Sequence, residues 1–132
     1  MWIDRVLRAL EPSHLVTFSV QFSPGARTAW HRCPYGRVLH FLYGVGRVQR
    51  RGGPVHEVRA GDTIIAAAGE WQWHGAAPNT FMAVVSTHET GPDGTDTEWA
   101  ERVTDAEYLL PPLNSTVPRQ GADRVAHREA CW

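Results

Sequence analysis

An all-β domain is what this sequence predicts, and three observations predict it. Segments rich in β-branched and aromatic residues are short and alternate in polarity. Turns containing Gly or Pro punctuate them about every 8–12 residues, the spacing of a sandwich or barrel. No Gly-x-Gly-x-x-Gly run and no helix–strand alternation argues for an α/β fold.

Along the chain, residues 4–10 are expected to form one or two helical turns. Residues 14–22 alternate as a strand, and Pro24-Gly25 ends it. Residues 37–43 and 47–50 read as a strand pair, with Gly44-Val45-Gly46 as its turn. After a turn at Gly52-Gly53-Pro54, residues 55–59 form a short strand. Ala60-Gly61-Asp62 turns into a strand over 63–67, and Gly69-Glu70 into another over 71–75. Residues 80–88 form the last clear strand. Residues 89–107 hold seven of the fourteen acids and read as a solvated surface around a loop at Gly91-Pro92-Asp93-Gly94. Thr104 and Glu107 have the spacing of a capping box, which predicts a helix start.

Composition bounds the function. A chain of 132 residues supports one domain with a real core. The net charge of −1 gives no electrostatic reason to expect nucleic acid or an anionic membrane as partner. No apolar run approaches the ~20 residues of a membrane span. Met1-Trp2-Ile3-Asp4-Arg5 lacks the order of a secretory signal, so a cytoplasmic location is expected. Cys33 and Cys131 do not make a disulfide framework. All 13 basic residues are Arg, which excludes Schiff-base chemistry through a lysine.

Two segments carry most of the polar chemistry. The first reads Pro24-Gly25-Ala26-Arg27-Thr28-Ala29-Trp30-His31-Arg32-Cys33-Pro34-Tyr35-Gly36-Arg37. The second reads Gly69-Glu70-Trp71-Gln72-Trp73-His74-Gly75-Ala76-Ala77-Pro78. With Gly44-Val45-Gly46-Arg47-Val48-Gln49 and Ala60-Gly61-Asp62, they resemble the small single-domain bacterial cupins, a group that includes metal-dependent hydroxynitrile lyases. The resemblance runs from about Val16 to Tyr108. It implies a cupin double-stranded β-helix, a jelly-roll barrel with short terminal extensions. Residues 1–110 would form the domain with its N-terminal extension, and residues 111–132 an irregular tail.

In that family the first motif supplies His-x-His and then Gln or Glu, the second supplies the last His, and all converge on one metal. Here His31 matches the first ligand and His74 the last. Cys33 stands at the second His and Arg37 at the Gln. Gln72 stands where relatives often have a further His, and Val84 where the lyases carry another pocket His.

Strand parity puts Cys33 on the face of His31 and Gln72 on the face of His74. Arg37, Leu39 and Phe41 would line a second strand, and Met82, Val84 and Ser86 a third. The result is a mostly apolar pocket with a few polar groups, the usual make-up of a small-molecule site. Two chemistries stand open. His31, Cys33 and His74 could ligate a divalent transition metal (Fe, Mn, Zn, Ni or Cu), with Gln72 as a fourth donor. Arg37 opposes this, because a guanidinium cannot ligate and raises the local positive charge. Without a metal, His31 and His74 would transfer protons while Arg37 holds an anionic group. The catalytic candidates are therefore His31, Arg37, Gln72 and His74.

His14, His40, His56, His88 and His127 have no motif around them and read as structural. Trp30, Trp71 and Trp73 read as packing residues between sheets or across a homodimer interface. Tyr35 falls at the pocket mouth. The expected function is a small-molecule enzyme with lyase, isomerase, cyclase or oxygenase chemistry, of a kind used in natural-product biosynthesis. The alternative is a binding module with a degenerate metal site. Its partner would be a small organic substrate, anionic if Arg37 binds it.

Overall fold

The structure is a computed structural model and describes residues 1–113. Its strands are β1 (Trp2–Arg8), β2 (Leu15–Phe22), β3 (His31–Arg32), β4 (Arg37–Arg50), β5 (His56–Arg59), β6 (Thr63–Ala66), β7 (Gln72–Ala76), β8 (Met82–Glu89) and β9 (Glu98–Trp99). One short helix, α1 (Asp105–Tyr108), follows. All strand pairings are antiparallel, and the main order is β1-β2-β8-β4-β7-β3-β9, with β5 and β6 also on β4. The all-β class is as expected.

The long strand β4 organises the sheet. Arg37–His40 pairs with β6 and Arg37–Gly44 with β8, whereas the second half pairs with β5 and β7. The expected turn at Gly44-Val45-Gly46 is therefore not a reversal. A register shift between Phe41 and Tyr43 bends the strand, and Gly44 follows it at φ +82°. A Cβ at Gly44 would lie 1.8 Å from the Phe81 carbonyl oxygen. Only glycine admits that approach, and the strand curls onward without folding back.

The expected helical turns at residues 4–10 are also corrected. This segment is β1, in register with β2 from Trp2↔Gln21 to Arg8↔Val16. Its apolar residues Ile3, Val6 and Leu7 have helix-like spacing, but its backbone groups pair with a strand edge. Part of the acidic segment also departs from expectation. Glu98 and Trp99 form β9 against Arg32 and His31, which brings the preceding loop over the barrel mouth.

Two apolar clusters hold the domain. Val20, Phe22, Leu39, Phe41, Val48, Val58, Ile64, Ala76, Met82 and Val84 fill the barrel. Burying each large side chain among them contributes about 1.5–3 kcal/mol before entropy is counted. The expected inward parity of Leu39, Phe41, Met82 and Val84 is found, although these residues fill the core. The second cluster joins Trp30, Val55, Trp73, Val103 and Tyr108 outside β7. The expected capping box forms there: Thr104 Oγ1 accepts from Glu107 N (3.1 Å) and Glu107 Oε1 from Thr104 N (2.9 Å). It positions Tyr108, whose hydroxyl donates to the Ala76 carbonyl at 2.5 Å. Trp73 donates to Gln49 Oε1 at 2.8 Å.

Trp30 and Trp73 are thus buried within one chain, and Trp71 lies beneath Arg32 and Arg51. Of the expected irregular tail, Leu113 is bridged in parallel to His56, and residues 114–132, with His127 and Cys131, lie outside the described residues.

Candidate active site

Beside the filled core, a cavity of about 320 Å³ remains open at one end of the barrel. Its polar wall carries Thr28, Arg37, His74, Ser86, His88, Asp96 and Thr97, and its apolar wall includes Phe18, Val20 and Trp99. That volume suits a small organic ligand.

Arg37 is the first residue of β4, between β6 and β8, so its side chain starts from a fixed three-strand platform. Its Nη2 donates to Thr97 Oγ1 at 2.9 Å and its Nη1 to His31 Nε2 at 3.5 Å. Its Nε is buried and has no partner among the described residues. Among the described residues no carboxylate lies within ion-pair distance of it. A guanidinium cannot deprotonate to relieve this, so the pocket holds a permanent cation with unspent donor capacity.

His31 sits on the two-residue strand β3 between Gln72 and Trp99 and is fully buried. Its Nδ1 donates to the Ala29 carbonyl at 2.9 Å. That tautomer leaves Nε2 as an acceptor facing Arg37. Burial and the Arg37 charge pull its pKa down to about 4, so the ring is neutral near pH 7. His74 on β7 stands with its ring centre 5.3 Å from that of His31. Its backbone N–H donates to Thr28 Oγ1, and its Nδ1 has no partner among the described residues. Burial, then His31 and Arg37, hold its pKa well below the usual range. Two neutral imidazoles and one cation therefore share this side of the site.

His88 completes the opposite side. It is paired with Arg37 across β4 and β8 and stacks on Phe18. Its Nε2 donates to Asp96 Oδ1 at 2.7 Å. Thr97 N and Thr97 Oγ1 donate to the same carboxylate oxygen at 2.7 and 3.1 Å. Burial alone would raise the Asp96 pKa, but the Thr97 and His88 contacts outweigh it and lower it. Burial and Arg37 lower the His88 pKa despite Asp96. A continuous chain of donors results: Arg37 to Thr97, Thr97 to Asp96, and His88 to Asp96.

The expected site residues divide. Arg37, His74 and Ser86 lie on the cavity wall, whereas His31 stands behind Arg37. Cys33 is buried, with its Sγ 3.6 Å from Thr97 Oγ1. Gln72 is buried, with neither amide atom partnered among the described residues, and is not on that wall. The metal set of His31, Cys33 and His74 does not come together: among the described residues no three His, Cys, Asp or Glu side chains could hold one ion. Once His31 Nδ1 meets Ala29, its ligating nitrogen faces the Arg37 guanidinium, and a fixed cation there opposes a divalent ion. The residues present do not fit the transition metal expected from the motif.

His88, Asp96 and Thr97 are the members that sequence reading missed. For His88 a signal existed, because it follows Ser86 by two on the same strand face. Asp96 and Thr97 had none, since their loop reads as solvated surface. Exposed Tyr35 is not on the cavity wall.

With this geometry in view, three comparisons fit together. Residues 18–87 match the Cupin_2 family model, described as a cupin domain. The chain is 44% identical over 106 residues to the (R)-mandelonitrile lyase of Granulicella tundricola, covering 80% of each. It is similar to the crystal structure of a cupin-like protein from Thermotoga maritima, with TM-score 0.75, 31% identity and 81% and 80% of the two chains covered. The DMSP lyase DddQ of Ruegeria pomeroyi shares the fold at TM-score 0.57 and 19% identity, over 70% of this chain and 46% of that one. Among the described residues no helix is long and apolar enough to cross a membrane. The chain belongs to the cupin family, with a fixed guanidinium and neutral imidazoles in its pocket.

Proposed function

We propose that this cupin is a lyase for a small α-hydroxy compound, and that Arg37 supplies the positive charge of its site. The carrying observation is the Arg37 guanidinium, held by Thr97 and His31 in the cavity wall with no carboxylate of the described residues at contact distance. Cleaving an α-hydroxynitrile breaks the bond between the carbinol carbon and the nitrile carbon. The electron pair leaves with cyanide, and the hydroxyl oxygen becomes a carbonyl as its proton is taken up. Such a reaction needs a cation where the anion develops and a neutral base where the hydroxyl lies. The pocket offers both. The relative that is a mandelonitrile lyase supports this substrate class.

The test is turnover of racemic mandelonitrile by purified protein, before and after chelator treatment, following benzaldehyde and the enantiomer ratio of what remains. The expected result is enantioselective cleavage that survives the chelator and falls at least about a hundredfold in Arg37→Met. Cleavage no faster than the buffer control, or cleavage that depends on added metal, overturns the proposal. Binding of benzaldehyde without turnover would favour the binding-module alternative.

A further inference from the structure

We propose that His88, held by Asp96, is the residue that takes the substrate hydroxyl proton. This inference rests on the lyase reading and names the base within it. His74 and His88 both line the cavity, and each keeps a buried Nδ1 without a partner among the described residues. They differ in what surrounds the other nitrogen. Arg37 opposes a positive charge on both rings, and on His74 the neighbouring His31 adds to that opposition. His88 alone has a carboxylate on it, with Nε2 donating to Asp96 Oδ1 at 2.7 Å. That bond fixes the tautomer, so the proton is on Nε2 and the lone pair is on Nδ1. It also supplies the counter-charge for the imidazolium formed when Nδ1 accepts a proton. This is the arrangement a positioned base requires: one nitrogen oriented by an acid, the other with its lone pair uncommitted.

The neighbouring atoms fit that role. The side chain of His88 is 1% exposed, so bulk water does not compete for it. Ser86, two residues earlier on the same face, lines the same cavity and has a buried hydroxyl without a partner among the described residues. Thr97 joins Asp96 to Arg37, so the carboxylate that supports the base also holds the cation in place through one hydroxyl. The reaction closes without a further reagent. His88 Nδ1 takes the hydroxyl proton, the C–C pair departs as cyanide beside Arg37, and the same proton passes from His88 to cyanide, releasing hydrogen cyanide and the aldehyde.

Two measurements test this separately from the lyase reading. In the first, His88→Ala and Asp96→Asn are assayed on mandelonitrile with circular dichroism as a fold check. His88→Ala should lose about a hundredfold or more in kcat, and Asp96→Asn should lose less, with KM changed little in both. Asp96 is half-exposed, so its amide variant tests the pair if His88→Ala fails to fold. In the second, nitrogen-15 spectra of the wild-type histidines are recorded with benzyl alcohol, a hydroxy compound that cannot be cleaved. His88 should show a protonated Nε2 and a bare Nδ1, and the Nδ1 resonance should move on adding the alcohol. If mandelonitrile is not cleaved but the His88 resonance moves, the lyase reading fails and the proton-acceptor role stands. A His88 protonated on Nδ1, an unmoved resonance, or a folded His88→Ala that cleaves mandelonitrile at the wild-type rate overturns the role.

Discussion

Neighbouring residues on β7 have opposite duties. His74 lines the cavity and has an unpartnered Nδ1, while Trp73 points into the outer cluster and donates to Gln49. Truncation should therefore separate function from stability. His74→Ala removes a cavity-lining ring and enlarges a space already open, so the fold should survive while mandelonitrile turnover is lost. Trp73→Ala empties a fully buried site against Tyr108 and strands the Gln49 amide, and should cost about 3–5 kcal/mol. Urea unfolding and turnover measured on both variants check this. Equal loss of stability in the two would contradict it. At this scale the site was half legible. Arg37 and His74 could be found because paired motifs and strand parity select one face. Asp96 could not, since an acid in a polar loop looks alike whether it meets water or a buried histidine. Cys33 shows the opposite error, a residue of ligand type at ligand spacing that lies instead against a threonine hydroxyl.

At the scale of elements, β4 carries both halves of the sheet, and one glycine allows it. Gly44 has φ +82° and a neighbour's carbonyl oxygen where a Cβ would stand. Gly44→Val adds a branched Cβ in a disfavoured backbone region against Phe81, and should cost about 3 kcal/mol or more. Gly52→Ala is the comparison, because Gly52 also has positive φ but open space around its Cβ position. Thermal unfolding of both should show a much larger drop for Gly44→Val. Similar drops would mean that the bend does not depend on the close approach. The same element explains why sequence reading went astray. Gly-x-Gly between two β-rich runs is the signature of a hairpin, and a bulge that bends one long strand uses the same residues. β1 misled differently. Its residues are all exposed, so no burial alternation marks it as a strand, and only its pairing with β2 makes it one. The capping box at Thr104 was legible because its chemistry is local.

For the whole molecule, the buried histidines tie the fold to pH. The pKa values of His31, His56, His74 and His88 are all lowered, burial being the largest cause in each. A lowered folded-state pKa means that the unfolded chain binds protons first as pH falls. Stability is then full above the unfolded value of 6.5 and is lost as pH drops toward the folded value, about 4 for His31. His31 alone should remove about 2 kcal/mol between about pH 7 and pH 5. His74 and His88 act in the same direction, so the total exceeds that of one residue. Asp96 adds to the loss in stronger acid, since its carboxylate is held below its ordinary range and its contacts vanish on protonation. Urea unfolding across this range should show stability falling steadily below about pH 6.5. His31→Asn, weaker at neutral pH because it gives up a buried ring, should show a flatter dependence. A wild-type curve level from pH 7 to pH 5 would mean that these rings take up protons in the folded protein as readily as in the unfolded chain. That result would contradict the depressed pKa values that burial and Arg37 give these rings, so the pH dependence of the fold tests the state of the site with no substrate present.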